Sequence, residues 1–167
     1  MPRPQRLDTA AEPADAFIGI VTNLSIIQMA HFINQKSLLN LVREADLPVY
    51  FEKTNKLIEF KFFHCQNDDY RSDFCLLGNS NAGLSLLPSY KQFSYFLIAL
   101  GAIPDYRIAQ LIVEIKSISG VQIAANLSQN SIPAIPAILT DIELHLTEQK
   151  MIKSGSQNLI MPLSEDQ

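Results

Sequence analysis

A chain of 167 residues with 47% hydrophobic and 18% charged content has the make-up of one folded domain, not of a disordered segment. Its net charge of −4 and pI near 5.3 exclude a general nucleic-acid binder, which needs a basic surface to neutralise phosphate. No stretch reaches the roughly 18 uninterrupted apolar residues of a membrane span, and two cysteines are too few for a disulfide framework, so a cytoplasmic protein with reduced thiols is expected.

Residues 1–15 are rich in Pro and Ala, lack the apolar run of a secretory signal, and are expected to form a disordered tail. A single α+β domain is expected over residues 16–152, followed by a frayed tail over 153–167. Phe17 to Thr22 reads as a buried strand. Ser25 is the better N-cap for the helix that follows, whose apolar stripe is Ile26, Met29, Ala30 and Ile33, ending near Lys36 or Ser37. Leu39 to Arg43 and Pro48 to Glu52 read as two short strands around a turn at Asp46. Leu57 to Cys65 alternates, with Ile58, Phe60 and Phe62 on one face and Glu59 and Lys61 on the other. A polar loop, Gln66 to Ser72, joins it to a returning strand, Asp73 to Gly78, in hairpin fashion. Asn79 to Gly83 is a turn before a short strand, Leu84 to Leu87. Four consecutive strands on short turns predict antiparallel pairing.

Phe93 to Leu100, FSYFLIAL, lacks alternation and so suits a central strand buried on both faces. Gly101 ends it and Pro104 opens a helix whose apolar face is Ile108, Leu111, Ile112 and Ile115. Val121 to Leu127 alternates as a strand, with Val121, Ile123, Ala125 and Leu127 sharing a face. The prolines of Ser131 to Ile138 suggest an extended connection. Ile142, Leu144 and Leu146 alternate with Glu143, His145 and Thr147 and suggest a final strand with His145 at the surface. A short helix opened by a Thr140–Glu143 capping box is the competing reading. The expected fold is therefore α+β: an antiparallel sheet with two main helices packed on one face. A mixed sheet is the alternative.

The segment from Phe17, FIGIVTNLSIIQMAHFI, aligns without gaps on FLIALGAIPDYRIAQLI from Phe96, an offset of 79 residues. Strand–helix units share such patterning in general, which is the simpler reading. A duplicated unit with pseudo-twofold symmetry is the alternative.

The segment LPSYKQFSY, Leu87 to Tyr95, resembles the signature of the IPExxxVDY family of bacterial proteins: Ile-Pro-Glu, three variable residues, Val-Asp-Tyr. Pro88 and Tyr95 match. Leu87 and Phe93 are apolar replacements, and Ser89 and Ser94 stand where the signature is acidic. Looser similarity extends to FIGIVTN, to Leu41-Val42-Arg43 with Asp46-Leu47, to DFCLLGN and to KSGSQNLI. The resemblance implies a small cytoplasmic α+β protein and no substrate or reaction.

Candidate chemistry concentrates in HCQNDDYRSDFC, His64 to Cys75. A hairpin turning around Tyr70 would set Cys65 opposite Cys75. His64 and Cys65, adjacent on a strand, point to opposite faces, which works against shared metal coordination. A cysteine nucleophile with His64 as base is one reading. A buried thiol pair beside an Asp-rich turn is the simpler one. His31 lies on the first helix with no ligand one turn away. Tyr90, Phe93, Tyr95 and Tyr106 gather near the signature turn, where Tyr90 and Tyr95 suit a partly wet binding surface. No phosphate loop, nucleophile elbow or paired-histidine motif is present, and no cofactor is expected. The expected function is a non-enzymatic binding or protein-interaction module with an unknown protein partner or self-association, quite naturally a homodimer. The alternative is a small enzyme using the Cys65/Cys75 hairpin with His64.

Overall fold

The computed structural model describes residues 15–68, 71–101, 103–127 and 132–160, with side chains as far as 155. The elements in chain order are β1 (Ala16–Thr22), α1 (Ile26–Ser37), β2 (Val42–Phe51), β3 (Lys56–Asn67), β4 (Ser72–Gly78), β5 (Ser80–Asn81), β6 (Leu84–Ser85), a 3-10 turn (Pro88–Tyr90), β7 (Tyr95–Leu100), α2 (Asp105–Lys116), β8 (Val121–Asn126) and α3 (Ile135–Ile160). The main sheet has the order β2-β3-β4-β7-β1-β8, and each neighbouring pair is antiparallel. This is the α+β class expected, without the parallel pairing of a mixed sheet.

Connectivity explains the order. Helix α1 carries the chain from β1 towards β4, and α2 carries it from β7 to β8. Read as β8-β1-β7-β4, four neighbouring strands form the split βαβ arrangement, with β8 at the sheet edge. The β2–β3 hairpin extends this core beyond β4, and β5 pairs only with β6.

Alternation then sorts side chains onto two faces. Ile18, Ile20, Phe74, Leu76 and Leu97 face Met29 and Ile33 of α1 and Leu111 and Ile115 of α2. Phe17, Phe60, Phe62, Leu77, Phe96 and Ile98 face the opposite way, under Ile138, Ile142 and Leu146 of α3. The central strand β7 serves both cores, which is why its sequence does not alternate. Each such fully buried side chain contributes about 1.5–3 kcal/mol. Two helices share one face as expected, and a third covers the other.

Helix α1 starts where Ser25 predicts. Ser25 Oγ accepts from Gln28 N at 3.2 Å, and Ser25 N donates to Gln28 Oε1 at 2.9 Å, a reciprocal capping box. The repeat seen in the sequence is matched in space. Helices α1 and α2 are both 12 residues long, and Ile26–Ser37 maps onto Asp105–Lys116 at the same offset of 79 residues. Strands β1 and β7 pair with Ile18 opposite Leu97, its own counterpart, so a local two-fold axis passes this pair.

The structure corrects several expectations. Leu39–Arg43 and Pro48–Glu52 are not two strands around Asp46. One strand, β2, runs through, with a bulge between Glu44 and Leu47 that absorbs the polar residues. In β8 the register shifts between Val21 and Thr22 of β1, leaving Gln122 as the extra residue. Val121 therefore packs with the α1/α2 core and Ala125 and Leu127 with the other, so the four residues do not share a face. Residues 131–138 are not all extended, and 140–148 is not a strand. Helix α3 starts at Ile135, takes Pro136 into its first turn, and runs through the expected frayed residues from Lys153 to Ile160. Thr140 is no N-cap: it lies inside the helix, and its Oγ1 donates to Pro136 O at 3.0 Å. The expected tail residues 1–14 and 161–167 lie outside the described residues. No described helix is long and apolar enough to cross a membrane.

Candidate functional site

The turn from Leu86 to Ser94 is held by one buried amide. Asn79 is 1% exposed. Its Nδ2 donates to Tyr90 O at 3.0 Å and Phe93 O at 2.8 Å, while its Oδ1 accepts from Leu87 N at 3.0 Å. Its own backbone N donates to Ser94 O and its O accepts from Leu86 N. The segment from Leu86 to Ser94 is thereby pinned against the end of β4. Ser94, one of the two positions that are acidic in the signature this segment resembles, ties the turn to β1: its Oγ donates to Thr22 O at 2.8 Å and accepts from Thr22 N at 3.2 Å. Tyr95 Oη donates to Leu24 O at 2.6 Å, and burial raises its phenol above the ordinary value. Ser89 is exposed on the 3-10 turn.

These ties frame a cleft of about 500 Å³ between the β1–α1 connection, the end of β4 and the start of β7. Lys61 and Lys91 line it, with Asn23, Ser80, Gln92 and Tyr95, and none of its lining residues is acidic. Gly78 lies beside Lys61 on the cleft wall, where a Cβ would make only ordinary contact with Lys61 Cβ at 3.9 Å. Of this group the sequence singled out Tyr95 alone. Tyr90 is partly buried and stacks on Phe93 at 6.1 Å on the other side of the clamp. Asn79 and Lys91 each sit in turn sequences without any chemical motif, and Lys61 reads as an ordinary solvent-facing strand residue, so folding alone brings them together.

The cysteines do not meet. The β3–β4 register pairs His64 with Cys75 and Cys65 with Phe74. The connection holds four residues between Asn67 and Ser72, an even number, so it does not centre on Tyr70. That one-residue slip puts Cys65 in the α1/α2 core and Cys75 in the α3 core. Cys75 is 0% and Cys65 8% exposed. Burial raises the Cys65 thiol above its ordinary value and the Cys75 thiol well above it, with the charge of Asp73 adding to both. His64, by contrast, has a partner the sequence did not assign: its Nε2 donates to Asp73 Oδ1 at 2.7 Å across the strands. A small cavity of about 210 Å³ lies between His64, Glu44 and Gln66 and the Leu146–Lys153 stretch of α3. Among the described residues, no group of three or more His, Cys, Asp or Glu side chains gathers to hold a metal.

His145 is not a surface residue. It is 5% exposed, packs edge-on against Phe62, and its Nε2 donates to Ala45 O at 2.8 Å, inside the β2 bulge. Lys153 adds an ion pair to Glu44 at 3.0 Å. Helix α3 thus straps the β2 edge of the sheet. Strand β8, at the other edge, carries VQIAAN and no charged side chain. Leu127 N donates to Phe17 O at 2.7 Å, which fixes the alternation: Ile123 and Ala125 turn their peptide groups to β1, and Ala124 turns its own outward. Among the described residues no strand pairs with that outer side. No protein-family model, no curated protein and no solved structure matches this chain.

Proposed function

We propose that this protein is a non-enzymatic interaction module that self-associates through its β8 edge. The observation that carries the reading is the edge strand itself: six residues with no charge and no proline, paired with β1 on one side and with no second strand among the described residues. Two copies of an uncharged strand can pair antiparallel about a two-fold axis without placing like charges opposite one another. Main-chain hydrogen bonds would supply affinity, and Ile123, 48% exposed, would supply apolar contact.

The thiols favour this reading over a cysteine-based enzyme. They lie on opposite faces of the sheet, and a nucleophilic cysteine needs a stabilised thiolate, whereas burial works against one at both positions. Free, buried cysteines also fit a reducing compartment, and with the resemblance of Leu87–Tyr95 to the IPExxxVDY signature they support a bacterial cytoplasmic protein.

Sedimentation velocity over a concentration series tests the proposal. A dimer that becomes a monomer in Ile123→Lys supports it. A monomer at every concentration overturns it, as does a dimer that Ile123→Lys leaves intact.

A further inference from the structure

The cleft beside the signature turn is separate from the β8 edge, and its chemistry points to a ligand. In a chain of net charge −4, it is lined by two lysines and no carboxylate. Neither Lys61 nor Lys91 makes an ion pair among the described residues. The Ser25–Gln28 box takes up two of the N–H groups at the nearby start of α1, and the two ammonium groups are the full charges lining the cleft. The walls are rigid for a reason that can be traced. The side chains of Asn79, Ser94 and Tyr95 each hydrogen-bond to the backbone of another segment, and so tie three separate chain segments together. Such cross-ties hold a binding geometry before the ligand arrives, which lowers the cost of ordering it.

We propose that this cleft binds a small phosphorylated compound. Two lysines and no arginine line it. Lysine acts on phosphate as a point charge, whereas planar carboxylates are matched best by the forked guanidinium of arginine. Two positive charges complement the dianionic form of a phosphate monoester. A volume of about 500 Å³ exceeds what phosphate alone fills and falls in the range of small-ligand pockets. Asn23, Ser80 and Gln92 offer amide and hydroxyl groups to the organic part, and the ring of Tyr95 offers an apolar wall.

The test is a titration of the full chain with inorganic phosphate, followed by amide chemical shifts in nuclear magnetic resonance, with acetate as the competing anion. The expected result is a saturable shift confined to residue 61 and residues 22–26, 78–80 and 91–95. Lys61→Gln with Lys91→Gln should weaken it by about tenfold, since two charge-assisted contacts are lost. Both lysines are exposed, so the double variant keeps its fold, and its unperturbed shifts elsewhere verify that. Three results would overturn the proposal: shifts that scatter without saturating, a dissociation constant unchanged in the double variant, or acetate producing the same shifts at the same concentration.

Discussion

The two edges of the sheet are built to opposite specifications. Strand β2 has a bulge, a proline at Pro48 and the Arg43–Asp46 ion pair, and helix α3 reaches over it with His145 and Lys153. Arg43 Nη1 also donates to Glu44 O and Phe62 O, so the bulge is tied from both sides. Each of these devices blunts pairing with another strand. Strand β8 has one bulge, at Gln122, and no proline or charge, and among the described residues no strand lies beyond its outer side. A sheet that closes one edge so thoroughly and leaves the other uncharged differs from one that merely tolerates its edges. The difference argues that β8 is where a partner strand belongs.

Changes that act on this contrast differ in size. The largest effect is expected from His145→Ala, which strips Ala45 O of its buried partner and removes the ring from Phe62. A loss of about 1–3 kcal/mol should appear in denaturant unfolding. If stability is unchanged, the strap contributes nothing to the closed edge. Next comes Ile123→Lys at the open edge, which should weaken self-association by about tenfold or more, near 1.4 kcal/mol, because it replaces an apolar contact with a like charge on each copy of the paired strand. Thermal unfolding of the monomer should hardly move, since the side chain is half exposed. Pro48→Val restores an N–H to the closed edge. The remaining guards should keep that edge inert, and light scattering should show no new association; new oligomers would mean the proline alone does the guarding.

The smallest effect concerns Asp141 on α3, whose carboxyl is raised above its ordinary value by burial. The native state holds this proton more tightly than the unfolded chain does. Stability from this group is therefore greatest below the unfolded value and declines as pH rises through the native one. Asp141→Asn should thus be slightly more stable than the parent at neutral pH, with the gap closing in acid. A gap that widens in acid would reverse the sign and show that Asp141 has a favourable ionic partner.

Much of the fold was legible because local pattern and tertiary role agree. The β1–α1 and β7–α2 units follow from a strand, a cap and an i, i+3, i+4 stripe, and burial follows the same residues. At α3 the strand reading fails because Ile142, Leu144 and Leu146 happen to alternate, while the competing helix is right in type but too short and wrongly capped. The stripe that is buried runs through Ile138, Ile142, His145 and Leu146, while Leu144 is exposed. Pro136 suggests extended chain in the sequence, although the first helical turn tolerates proline, as it does here. The cysteine geometry turned on a single residue of loop length, which composition does not encode. The lysine-lined cleft was illegible for a different reason. Lys61, Asn79 and Lys91 come from three segments and carry no motif, so only the topology reveals that they converge.

Concentration-dependent amide hydrogen exchange tests the open-edge claim most directly. The Ala124 amide points away from β1 and, in a residue only 2% exposed, pairs with no strand among the described residues; a β8-paired dimer would add a hydrogen bond to it. Its protection should rise with protein concentration, while β2 amides stay constant. Protection of Ala124 that is independent of concentration, or a rise at β2 instead, would contradict the account.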